Sequence, residues 1–142
     1  MSDLLYRDEI YQIVTLCMEV HRELGHDQDA VIYQDALELE FRRFKLPYVR
    51  DPKHGVEYKG ALLPHHYQSD FILFDKILFV GKACERLTEP QIKRVQDFLA
   101  IARLPLALLV NFGEESLAWK RVIRAEPSKI ESVDFRNPSQ SA

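Results

Sequence analysis

Asp70 and Lys82 are the two residues whose types and placement suggest chemistry. Asp70 stands in the strand-like run Tyr67-Gln68-Ser69-Asp70-Phe71-Ile72-Leu73-Phe74, and Lys82 closes a second apolar run, Ile77-Leu78-Phe79-Val80-Gly81-Lys82. A carboxylate that holds a divalent cation and an amine that positions a nucleophile together make up most of a metal-assisted hydrolytic site. Residues two apart on a strand share a face, so a second carboxylate sharing a metal with Asp70 belongs two residues before Lys82. Val80 occupies that position.

The elements that must position these residues can be read from periodicity. Leu5, Ile10, Ile13, Val14, Cys17, Val20 and Leu24 recur at helical spacing before Gly25, which predicts a long amphipathic helix over 4–24. Asp27 and Asp29 precede a second periodic stretch through Phe44, with Pro47 beyond its end. Asp29 is expected to act as N-cap or to complement the macrodipole. Three β-rich segments follow, 48–58, 62–74 and 77–84, separated by turn signals at Lys59-Gly60 and Asp75-Lys76, and these predict an antiparallel meander. Thr88 is placed to cap a helix from Glu89 to about Arg103. The continuously apolar Leu106 to Phe112 predicts a buried strand, and Leu117 to Arg124 a last one. The reading is one domain over 1–124 and a partly flexible tail over 125–142.

A chain of 142 residues with 46% hydrophobic content can bury one core and has no room for a second domain. The formal net charge of -3 supplies no whole-molecule attraction to nucleic acid, so such binding must be argued locally. No apolar run reaches the ~18 residues that span a bilayer, and no secretory signal precedes the first helix, so a soluble cytoplasmic protein is expected. Cys17 and Cys84 lack metal-site spacing and read as small buried hydrophobes.

The order helix, three strands, helix, strand, with Asp on the second strand and Lys on the third, resembles the PD-(D/E)XK nuclease superfamily. Within it, the chain is similar to the small bacterial family named for its GxxExxY motif. The resemblance is carried by Val20-His21-Arg22-Glu23-Leu24-Gly25, Tyr33-Gln34-Asp35-Ala36-Leu37, Val56-Glu57-Tyr58-Lys59-Gly60, Lys82-Ala83 and Leu108-Leu109-Val110-Asn111-Phe112-Gly113. It implies an α/β fold with a restriction-endonuclease-like core, a central mixed sheet flanked by helices in αβββαβ order plus an extra N-terminal helix. It also implies magnesium held by carboxylates at a scissile phosphate.

Carried over by position, the motif's Gly falls on Asp27, its Glu on Ala30, and its Tyr on Tyr33; the Glu before the lysine falls on Val80, and a Gln of the following helix on Arg94. Asp70 and Lys82 remain. With two acids gone and one cation gained, Asp70, Lys82 and Arg94 are expected to form a metal-free ion cluster, with Arg94 suited to a bidentate carboxylate contact. Removing Asp70 from such a cluster would strand two cations at a cost on the order of 3 kcal/mol. Asp29 and Glu85 are the acids that could serve as displaced metal ligands beside Asp70. Tyr33 either binds within the cleft or packs with a satisfied hydroxyl, and Glu40, two turns further along the helix, reads as a hydrogen-bonded structural acid. His65 and His66 point to opposite faces of a strand, and His21 and His26 are misaligned on a helix, so neither pair suggests zinc.

The resulting expectation is a degenerate nuclease-like domain without metal-dependent cleavage, needing no cofactor and serving as a nucleic-acid-binding or interaction module with DNA or RNA as the inherited ligand class. The rivals are an active magnesium-dependent phosphodiesterase using displaced carboxylates, and a structural or protein-binding domain.

Overall fold

The computed structural model describes residues 5–124; the expected tail over 125–142 lies outside them. Helix α1 (Arg7–Leu24) buries Ile10, Ile13, Val14, Leu16, Cys17 and Val20 along one stripe. It ends at Gly25, whose φ of 78° is the left-handed backbone that glycine adopts without Cβ strain. Helix α2 (Ala30–Arg43) presents Tyr33, Leu37 and Phe41 inward, four residues apart on one face. Asp29 is its N-cap residue, but its side chain makes no capping hydrogen bond.

The strands depart from a simple meander. The alternation over 48–58 predicts one strand, yet the chain forms β1 (Tyr48–Arg50) and β2 (Lys53–Tyr58); likewise 62–74 divides into β3 (Ala61–Gln68) and β4 (Phe71–Leu73). Both breaks have a local cause. Asp51 takes a φ of 53°, a left-handed conformation that Asp tolerates better than most residues, and Pro52 follows it. The Asp51 amide then donates to the Asp70 carbonyl at 2.9 Å, closing the point where the chain leaves the main sheet and returns. Asp70 consequently sits at a junction between strands instead of on one. Between the breaks, β2 and β3 pair antiparallel as a separate hairpin, turned by Lys59 and Gly60, both at positive φ.

After β5 (Ile77–Lys82) comes helix α3 (Glu89–Ala102), opened by a capping box in which the Thr88 side chain and Gln91 satisfy each other's backbone amides. It carries the chain over to β6 (Leu106–Asn111), which lies parallel to β5; β7 (Ala118–Ile123) returns antiparallel. The five-stranded sheet has the order β1-β4-β5-β6-β7.

Strand alternation sorts the core into two layers. Ile77, Phe79, Leu106, Leu108 and Val110 pack against α1 and α2, whereas Leu78, Ala107 and Leu109 pack against Val95, Phe98 and Leu99 of α3. Every residue of β6 is buried, as its unbroken apolar run requires. Val80 follows the parity of Leu78 and packs with the α3 layer. Cys17 is fully buried in the other layer, which pushes its thiol pKa up and makes it a core hydrophobe. Among the described residues, no helix is long and apolar enough to cross a membrane.

Candidate functional site

The Asp70 junction, the end of β5 and the first two turns of α2 enclose a narrow crevice. Its walls are Ala30, Tyr33, Gln34 and Leu37 from α2, Asp70, Gly81 and Lys82, and Phe112 just past β6. Asp70 is fixed on every side. Its amide donates to the Phe79 carbonyl at 3.2 Å, its carbonyl accepts from the Asp51 amide and from Gln34 Nε2 at 3.3 Å, and its Oδ2 accepts from the Gly81 amide at 2.7 Å. Gly81 leaves room for this seat, because a Cβ there would stand 2.8 Å from Asp70 Oδ2 and one of the two would have to shift.

Burial dominates the electrostatics of the crevice and lifts the Asp70 pKa from 3.8 to about 6. The Gly81 hydrogen bond opposes that rise, the nearby Asp51 carboxylate adds to it, and the charges of Lys82 and Arg50 oppose it more weakly. The crevice has no space for a water-sized sphere. A magnesium ion, which keeps several waters and requires near-octahedral oxygens, does not fit such a place. Nor do its walls supply a ligand set: Ala30 is apolar, Val80 packs on the other side of the sheet, and among the described residues no three His, Cys, Asp or Glu side chains converge.

Asp70 and Lys82 thus both line the crevice, without a hydrogen bond or ion pair between them, and the expected triad is not formed. Among the described residues no ion pair within 4.0 Å includes Asp70, Lys82 or Arg94. Arg94 is exposed and absent from the crevice wall. The reason is geometric: α3 packs through Val95, Phe98 and Leu99, and Arg94 lies about 100° around the helix from Val95. Asp29 and Glu85 are exposed as well and do not line the crevice. Among the described residues the Glu40 side chain makes no hydrogen bond or ion pair, its backbone carbonyl only accepting from the Phe44 amide; the structural acid on α2 is Glu38. His65 and His66 are both exposed, while His21 Nε2 lies 2.8 Å from the Glu114 carbonyl and ties α1 to the turn after β6.

Tyr33 is a packed residue with a satisfied hydroxyl. Its ring stacks on Phe112 with centroids 4.6 Å apart, and its hydroxyl donates to the Gly25 carbonyl at 2.6 Å while accepting from the Gln28 amide at 3.2 Å. Tyr33 therefore pins the connection between α1 and α2. Tyr33→Phe should cost about 1 kcal/mol, because one carbonyl and one amide lose a partner while the stacked ring stays; equal thermal unfolding of variant and parent would refute this role.

Sequence reasoning missed the polar network beside the crevice. Arg50 reaches Glu38 Oε1 and Asp35 Oδ1 at 2.7 Å each and donates to Gln34 Oε1 at 3.1 Å. Gln34 in turn donates to Asp51 Oδ1 at 2.8 Å. Hydrogen bonds from Arg50 and then Tyr48 hold the Glu38 carboxyl below its ordinary pKa. The Tyr33-Gln34-Asp35 block signals the α2 half of this network; nothing local identifies Arg50 and Asp51 as its partners.

A family model described as the PD-(D/E)XK nuclease superfamily matches residues 7–122. Among solved structures, an alkaline exonuclease (LHK-Exo) from Laribacter hongkongensis is similar at a TM-score of 0.52 and 11% identity, over 94% of this chain and 77% of that one. The crystal structure of SSO0001 is similar at a TM-score of 0.53 and 12% identity, over 93% of this chain and 69% of that one. At these identities the likeness concerns the fold. No curated protein matches the sequence.

Proposed function

The chain belongs to the PD-(D/E)XK nuclease superfamily, and from that premise we propose that it has lost metal-dependent cleavage and acts as a nucleic-acid-binding module. The observation that carries this reading is the state of Asp70: a half-buried, desolvated carboxyl bonded to the Gly81 amide, in a crevice too narrow for a hydrated metal. A magnesium-dependent phosphodiesterase needs a metal at the scissile phosphate and an approach path for the nucleophile, and this geometry favours neither. Tyr33, retained where the acid three residues earlier has become Ala30, supports a degenerate member of the GxxExxY branch whose motif persists for folding. The thiols of Cys17 and Cys84 suit a reducing compartment, and we assign the protein to the cytoplasm.

The test is a paired assay on labelled single- and double-stranded DNA and RNA, in magnesium or manganese and in chelator. The expected result is binding that weakens steeply with salt, through counterion release, and no cleavage above the chelated control. Metal-dependent nicking abolished by Asp70→Asn would overturn the proposal and favour a phosphodiesterase with displaced ligands. Absence of any binding would favour a structural or protein-binding domain. Rebuilding the acids as Ala30→Glu with Val80→Glu is not expected to restore a site, since Val80 packs in the α3 layer, away from the crevice that Ala30 and Asp70 line.

A further inference from the structure

We propose that the β2–β3 hairpin is the contact arm for single-stranded nucleic acid, its lysines meeting phosphates and Tyr58 stacking on a base. This inference rests on the binding reading above and assigns it a surface. The hairpin leaves the main sheet at Asp51 and returns at Asp70, where the Asp51 amide bonds the Asp70 carbonyl at 2.9 Å. Its root is therefore part of the inherited site, and a strand laid across that site meets the hairpin next. The crevice itself is closed, so the ligand must be held by something that projects beside it.

The chemistry of the hairpin fits such a ligand. It bears Lys53 and Lys59 against one acid, Glu57, all exposed, in a chain whose net charge is -3. Its tip presents Tyr58 at 59% exposure and Leu62 at 71%, with the Lys59 ammonium 5.3 Å from the Tyr58 ring centroid. An exposed aromatic beside a cation offers both contacts that single strands use, a stacking surface and a phosphate partner. Duplex bases are already stacked and leave the Tyr58 ring without a partner, which favours the single strand.

The arm is also held in place. A lone two-stranded hairpin has marginal stability in water. Here Tyr67 stacks on Phe98 of α3 at 5.3 Å and His54 meets the same ring edge-on at 5.6 Å, anchoring the base of the hairpin while the tip stays free. Next to this anchor, Gly55 leaves room for the Leu62 side chain, whose Cδ1 would stand 2.6 Å from a Cβ there.

The experiment is fluorescence anisotropy of the full chain with labelled oligo-dT and oligo-U across a salt series, comparing the parent with K53E/K59E, Tyr58→Ala and, as a control, Arg94→Glu. All four positions are exposed, and retained far-UV circular dichroism confirms folding. The double charge reversal is expected to weaken binding at least tenfold and to flatten the salt slope. Tyr58→Ala should weaken it about tenfold with the slope unchanged, as loss of stacking does. Arg94→Glu should bind like the parent. If the parent binds and both hairpin variants bind equally well, this inference falls and the binding reading stands. If the parent binds neither oligonucleotide but binds a duplex, the single-strand assignment falls; if it binds no nucleic acid, both readings fall together.

Discussion

Asn111→Ala is expected to be among the most damaging single substitutions in this protein. Asn111 is fully buried and uses both ends of its amide: Oδ1 accepts from the Cys84 and Gly113 amides at 3.0 Å each, and Nδ2 donates to the Cys84 carbonyl at 2.9 Å and Glu114 Oε2 at 2.8 Å. Truncation leaves backbone groups at the exit of β5 and the turn after β6 without partners. Each such buried group costs about 1–3 kcal/mol, so a total on the order of 4 kcal/mol follows, a large fraction of a typical domain's stability. Gly113→Ala should act similarly by another route, since its Cβ would lie 2.4 Å from the Cys84 carbonyl oxygen, and backbone cannot swing away. Chemical denaturation checks both; a loss below about 1 kcal/mol in either variant would show that the β5 exit relaxes around the change.

Asp70→Asn is expected to stabilise the protein above pH 6. The folded-state pKa is about 6 against 3.8 for the free side chain. The folded state thus holds the proton more tightly than the unfolded chain, and ionisation works against folding. The penalty is absent below about pH 4, grows between pH 4 and 6, and is fully present above that window. Its size is about 3 kcal/mol at 1.36 kcal/mol per pKa unit. An asparagine can keep the acceptor facing the Gly81 amide, and its new NH₂ group returns about 1 kcal/mol of the gain for want of a partner. The net expectation is about 2 kcal/mol of added stability at pH 8, with a flatter profile between pH 4 and 6. This reverses the expectation, drawn from an ion triad, that loss of the Asp70 charge destabilises. Denaturant unfolding of parent and variant at pH 4.5 and pH 8 decides it, and a less stable variant at pH 8 would show that the charge is paired after all.

The helices and central strands were legible because their signals are local. The stripes of α1 and α2, the Thr88 cap of α3, and the apolar run of β6 each depend on residues close in sequence. The exit at Asp51 and return at Asp70 were not, because alternation runs through both breaks and only the long-range bond between them separates the hairpin from the sheet. Counting from Lys82 places Arg94 on α3, but its direction is set by the packing of Val95, Phe98 and Leu99, which counting does not register. Asn111-Phe112-Gly113 was recognisable as a signature, whereas its work became visible only with Cys84 and Tyr33 in place.

The parallel pairing of β5 with β6 has a kinetic consequence. Strand β6 is fully buried, and each of its contacts with β5 spans the whole of α3. Strand β7 pairs only with β6, so the sheet consists of a β1-β4-β5 part and a β6-β7 part. The chain must close this long crossover before the two parts become one sheet, and the entropy of closure is spent before the pairing returns it. Assembly of the whole sheet is therefore paced by the docking of α3, and because the same helix supplies Phe98 to the base of the β2–β3 hairpin, sheet and arm become firm in one step.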